Sequence, residues 1–184
     1  MRVSQKPDFK FYEEYRPKTM AGLVVDQYMN IRNSNIRKVM NRFEGEDSRL
    51  ESVKTIKGVE FINDAPASTA LAVWFALDNM HKPTAWIMNI SDIDMISEML
   101  LETINQKVKK IIIQGVYNAE IIDFFVGLGK EIIFAMNLED AVRNAFYACE
   151  AGEVVLYSPG VSAEGSHADI STRSDKFKYA ISQL

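Results

Sequence analysis

The chain has 184 residues, 47% of them apolar and 25% charged, with a formal net charge of −4. That length makes one domain, or one domain with an extension, and can bury a core of ordinary size. The mild acidic excess speaks against a nucleic-acid binder, which carries a clustered basic face. No apolar run approaches the ~20 residues of a membrane span, and the opening MRVSQKPDFKFYEEYR has no apolar signal core. The chain therefore reads as cytoplasmic, without nucleic-acid or membrane partners. A single cysteine, Cys149, excludes an internal disulfide and sits at an apolar helical position, as a buried thiol does.

Residues 1–43 read as an N-terminal extension. Pro7 and Pro17 break its polar, aromatic start. Ala21, Val24, Val25, Tyr28 and Ile31 then share one face of a short helix, and Asn35–Phe43 forms a second. That stripe must be covered. It folds back over the main domain or packs against a second copy, and a homodimer through residues 20–43 is the expectation.

Residues 44–184 alternate β-rich runs with helical periods. Strands are expected at Val53–Lys57, Val59–Asn63, Thr84–Asn89, Lys110–Gly115, Glu131–Met136 and Val154–Ser158. Ile111, Ile112 and Ile113 show no polar alternation, the pattern of a strand covered on both faces. Helices are expected at Thr69–Met80, Ser91–Gln106, Asn118–Leu128 and Leu138–Glu150, with Asn118 as an N-cap. Repeated strand–helix–strand units imply an α/β, three-layer Rossmann-like domain. Its six-stranded sheet is mostly parallel, with helices on both faces and one antiparallel edge hairpin around Gly58.

Ligands of such sheets bind beyond the carboxyl ends of the strands. Asn63 and Asp64 end a strand there. Asp64 either accepts from a ribose hydroxyl or caps the next helix. His81 lies in a helix-to-strand loop and reads as surface. His167, in the run Glu164–Asp169, reads as part of a flexible loop near the ligand edge, where acid–base work with Asp169 is conceivable. No His/Cys cluster has metal spacing, and no catalytic residue is assigned. The one Gly-Lys pair, Gly129-Lys130, follows a helix and leads into a strand, the reverse of a phosphate-binding P-loop.

Two stretches, GVEFINDAPAST (58–69) and VVLYSPGVSAEGSHADISTRSDKF (154–177), resemble the C-terminal domain of the Mur ligases, most closely the D-glutamate-adding kind. The family pattern H-R-x-E followed by G-V-x-F-I-N-D-S-K-A-T is similar to Ser48–Glu51 and Gly58–Ser68. The resemblance implies that Arg49 and Asp64 contact a nucleotide and that Asn63 shapes the turn. Ser158 and Pro159 match the start of an S-P-A-C-A-S element, and Ser162 its last serine. Ser68, Asp92, Ser158, Ser162 and His167 would line the substrate side. Arg173, Asp175 and Phe177 match a closing R-G-D-x-F helix start, which reads as structural.

The departures bear on function. The family's Ser-Lys is Ala65-Pro66 here, and its G-G-x-D-K-G turn is Asn89-Ile90-Ser91-Asp92-Ile93-Asp94. Two cations that would hold an acidic amino acid are missing, and Asp92 and Asp94 would repel one. The resemblance implies ATP with Mg²⁺, weakly bound without a P-loop. It also implies peptidoglycan-precursor metabolism. The expected role is a stand-alone, non-catalytic nucleotide-binding or accessory module. Two alternatives stay open: a subunit of a split amide-forming ligase whose P-loop partner is another chain, and a structural module with a vestigial cleft.

Overall fold

The computed structural model describes residues 49–90, 92–115, 118–160 and 167–184, the last from residue 170 onward in its side chains. The expectations for residues 1–43, including the homodimer, and for Ser162 lie outside the described residues.

The elements run β1 (Glu51–Ile56), β2 (Val59–Asn63), α1 (Ala70–Asp78), β3 (Thr84–Met88), α2 (Glu98–Lys107), β4 (Val108–Gln114), α3 (Ala119–Gly127), β5 (Glu131–Ala135), α4 (Leu138–Ala148), β6 (Val154–Tyr157) and α5 (His167–Ser182). They form one six-stranded sheet in the order β1-β2-β6-β3-β4-β5. All neighbours are parallel except the β1–β2 hairpin. The hairpin turns on Lys57 and Gly58, at φ 48° and 83°. Two positive φ values in a two-residue loop match the right-handed twist of the strands.

The two central strands, β3 and β6, are buried along their whole length, so both faces must be apolar. On one face Phe61, Ile87, Ile112 and Tyr157 pack against Ala141, Val142 and Ala145 of α4 and Phe177 and Ile181 of α5. Tyr157 stacks on Phe177 with ring centroids 5.0 Å apart, so the expected structural role of Phe177 holds. On the other face Trp86 of β3 meets Phe125 of α3 edge-on at 6.3 Å. The Cys149 thiol is part-buried, and burial pushes it up to about 12, the state of an inert thiol.

Two local expectations need correction. The stretch from Asp92 to Gln106 is not one helix. Asp92 accepts from the Asp94 amide at 2.9 Å, starting a single 3₁₀ turn over Ile93–Met95, and the Ser97 hydroxyl then caps α2 by accepting from Leu100 N. Ile93 and Ile96 therefore stand off the helix despite their spacing. His167 is the first residue of α5, not part of a loop. Gly129 and Lys130 lie between α3 and β5, which confirms that they are no P-loop. No helix among the described residues is long and apolar enough to cross a membrane.

Candidate functional site

The carboxyl edge of the sheet is set by where β2 and β6 stop. Asp64 N donates to Tyr157 O at 2.8 Å, which continues the parallel ladder one residue beyond β2. Asn63 Oδ1 accepts from Ala65 N at 3.2 Å and its Nδ2 donates to the Ser174 hydroxyl at 2.7 Å. The first bond shapes the turn, as expected of Asn63; the second ties it to α5. The turn closes with Ala67 N on Asp64 O at 3.0 Å. Thr69, not Asp64, caps α1 by accepting from Ala72 N at 3.2 Å, so the helix-cap reading of Asp64 is wrong.

Asp64 looks inward instead. Its carboxylate is fully buried, with Ser158 Oγ donating to Oδ2 at 2.8 Å and Arg49 Nε 2.6 Å from Oδ1. The Arg49 side chain is 10% exposed and its guanidinium carbon lies 5.9 Å from the Phe75 ring centroid. Arg49 pairs with Asp64 through its charge and through a side-chain hydrogen bond, and among the described residues Arg49 Nη2 is buried with no hydrogen-bond partner. Burial pushes the Asp64 carboxyl up to about 7, against the opposing pull of the Arg49 charge, the Ser158 hydroxyl and the Leu50 amide. Leu50 reaches that carboxyl in the left-handed region, at φ 48°, a conformation that costs about 1 kcal/mol or more for a branched residue.

The structure thus brings Arg49, Asn63, Asp64 and Ser158 to one edge. Asn63, Asp64 and Ser158 are each 0% exposed and spend their polar atoms on protein. The Asp64 carboxylate is buried against Arg49, Ser158 and the Leu50 amide rather than open toward a ribose hydroxyl. Ser68 and Asp92 are exposed, and Asp92 is engaged with the Asp94 amide. Among the described residues no group of three or more His, Cys, Asp or Glu side chains could hold a metal ion. Among the described residues at this edge, Arg49 Nη2 is a buried donor left without a partner.

A groove of about 500 Å³ lies at the opposite edge, lined by His81, Lys82, Lys107, Lys109 and Lys130 among others. Its ammonium groups already serve the fold. Lys107 donates to Met80 O, and Lys130 to Asn105 O and Val108 O, closing helix C-termini. Lys109 and Lys110 both pair with Glu153.

No family model matches the chain. UDP-N-acetylmuramoylalanine–D-glutamate ligase of Christiangramia forsetii is 33% identical over 165 residues, 90% of this chain and 37% of that protein. The enzyme of the same name from Bacteroides fragilis is 29% identical over 167 residues, 90% of this chain and 38% of that protein. The chain carries a Mur-ligase-type C-terminal domain. Two solved structures share its fold. UDP-N-acetylmuramate–alanine ligase of Thermotoga maritima aligns with a TM-score of 0.51 at 17% identity, over 77% of this chain and 31% of that one. Bifunctional folylpolyglutamate synthase/dihydrofolate synthase of Yersinia pestis, complexed with AMPPNP and Mn, aligns with a TM-score of 0.50 at 15% identity, over 72% and 32%. The chain spans under two-fifths of the length of the curated relatives it matches.

Against the Mur ligase pattern, one pair of departures lies in contact. The pattern has glycine where Ile90 stands and alanine where Gly160 stands. Here Gly160 has φ 72°, and a Cβ on it would lie 2.7 Å from Ile90 Cγ1. Ile90 is 3% exposed. Its side chain fills the space that a side chain at 160 would need, and it packs the end of β3 where the pattern's glycines would let backbone approach a ligand. Neither residue alone signals this. The link is a contact between the segments that follow β3 and β6, about 70 residues apart in sequence.

Proposed function

We propose that this Mur-ligase-type domain works in peptidoglycan-precursor metabolism as a nucleotide-binding module rather than as a catalyst. The observation that supports this reading is the Arg49 guanidinium. It is anchored on Asp64 at 2.6 Å and on the Phe75 face, with Nη2 buried and unspent. Such a group is ready to receive a phosphate oxygen in a charge-assisted bond. Asp64 then serves as a positioning residue. It holds the guanidinium, and Ser158 and the Leu50 amide hold Asp64. Ser68, exposed beside the turn, lines the ligand's approach.

Carboxylate phosphorylation needs a P-loop, which would have to come from a domain beyond these residues, and any Mg²⁺ would come with the nucleotide. The absence of lysine at 66 and 93, and the filling of the β3 end by Ile90, favour binding over amide formation. The test is calorimetric titration with ADP and ATP, with Mg²⁺ present, of the wild type and of Arg49→Lys and Asp64→Asn. Saturable binding that weakens in both variants, with the melting temperature of the charge-preserving Arg49→Lys within a few degrees of wild type, is the expected result. Binding unchanged in both would remove Arg49 and Asp64 from the site.

A further inference from the structure

We propose that the lysine-lined groove at the amino edge of the sheet is an anion site that takes a small phosphorylated ligand of the diphosphate class. The inference goes beyond the nucleotide reading and does not rest on it, because the groove lies at the opposite end of the strands.

Three crossovers meet at this edge. Met80–Pro83 leads from α1 into β3, Asn105–Lys109 runs from the end of α2 into β4, and Gly129-Lys130 joins α3 to β5. Each helix of a parallel sheet must return to the amino end before the next strand starts, so these segments converge. The groove holds about 500 Å³, within the ~300–1,000 Å³ range of small-molecule sites. Its lining includes His81, Lys82, Lys107, Lys109 and Lys130 and no aspartate or glutamate. In a chain of net charge −4 this is a local reversal of sign, and a concave wall of one sign concentrates counter-ions.

Two of the ammonium groups are fixed in place. Lys107 donates to Met80 O at 2.8 Å, and Lys130 donates to Val108 O at 2.8 Å and to Asn105 O at 3.1 Å. These bonds close helix ends, yet a carbonyl neutralises no charge. An ammonium has three N–H donors, so among the described residues Lys107 keeps two unspent and Lys130 one. Neither forms an ion pair with a described residue. Burial lowers the Lys130 pKa, and a bound anion would offset that cost. The outer lysines have carboxylate partners, Lys82 with Glu60 at 2.7 Å and Lys109 with Glu153 at 2.8 Å, but Glu153 also serves Lys110 at 3.1 Å. A phosphoryl group puts about two charges and three acceptor oxygens on one centre, which suits point-charge lysine donors. A carboxylate offers one charge on two oxygens. A second phosphoryl group would meet the exposed Lys82 and Lys109.

The test is an NMR titration of the whole chain with inorganic pyrophosphate, without Mg²⁺, with succinate as the dicarboxylate control. The backbone amides of Lys107, Lys109, Gly129 and Lys130 should shift saturably, and pyrophosphate should bind at least about ten-fold tighter than succinate. Lys130→Met should weaken pyrophosphate binding about ten-fold or more. Lys109→Gln, at an exposed position that leaves the fold intact, should weaken it about two- to five-fold. Overturning results would be no saturable shift at these amides, shifts only around Leu50 and Asp64 at the other edge, succinate binding as tightly as pyrophosphate, or normal binding by both variants.

Discussion

Arg49 Nε lies 2.6 Å from a carboxylate oxygen of Asp64 that no solvent reaches. The pair joins the approach to β1 to the end of β2, and Ser158 extends it to β6. Removing one partner leaves the other buried and uncompensated. Asp64→Ala should therefore cost about 3–5 kcal/mol, whereas the double change Arg49→Met, Asp64→Leu should cost clearly less. Urea denaturation of the two single variants and the double gives the coupling. An additive double variant would show that the pair does not act as a unit.

Two carboxylates give opposite pH dependences. Burial raises Asp64 to about 7 from an ordinary 3.8, so the folded state binds its proton more tightly than the unfolded state. Its contribution is full below about pH 4 and is lost as pH rises toward 7. Glu153 runs the other way. Burial would raise it, but Lys109, the Glu150 amide and Lys110 together hold it at about 2. Its contribution is present above about pH 4.5 and is lost as pH falls toward 2. The stability difference between wild type and Asp64→Asn should change between pH 4 and 7, and that between wild type and Glu153→Gln between pH 4.5 and 2. Flat differences in those windows would refute the assignments.

The hairpin turn carries a residue poorly suited to it. Lys57 sits at φ 48° before Gly58, in a turn type that prefers asparagine at that position. Lys57→Asn should stabilise the domain by about 0.5 kcal/mol, within the ~0.4–1 kcal/mol range of fitted turn substitutions. Gly58→Ala should destabilise it, because a Cβ would lie 2.8 Å from Ala151 Cβ at a φ of 83°. Thermal melts of the two variants should move in opposite directions.

Gly160→Ala would restore the Mur ligase pattern at that position, yet it should cost about 1–3 kcal/mol by overpacking against Ile90. In an Ile90→Ala background the same change should cost less. A double-mutant cycle with no coupling would show that the two positions are independent.

The six strands were legible because each is a short apolar or β-branched run bounded by glycine or polar residues, and β3, β4 and β6 are buried on both faces. The helix expected from Ser91 misled because Ile93, Ile96, Leu100 and Ile104 keep helical spacing across a break. The break is signalled only by Asp92 and Ser97, two side chains that prefer to bond backbone amides in turns and caps. Around the site, the sequence placed Asn63 and Asp64 at the correct edge, since a strand ending in Asn-Asp before a helix defines it. It could not show that Asp64 is fully buried against Arg49 and Ser158. Nor could it show that Ile90 fills the space beside Gly160, or that Gln114 holds an unpaired oxygen. These depend on contacts between strands distant in sequence.

The most direct measurement is a calorimetric titration of the wild-type chain with ADP and Mg²⁺, repeated on Arg49→Lys, whose ammonium cannot reproduce the guanidinium fork. Saturable binding that falls about ten-fold or more in Arg49→Lys, at unchanged melting temperature, is the predicted result. No binding by the wild type, or equal binding by both proteins, would contradict the account and leave the Arg49–Asp64 pair as a purely structural tie.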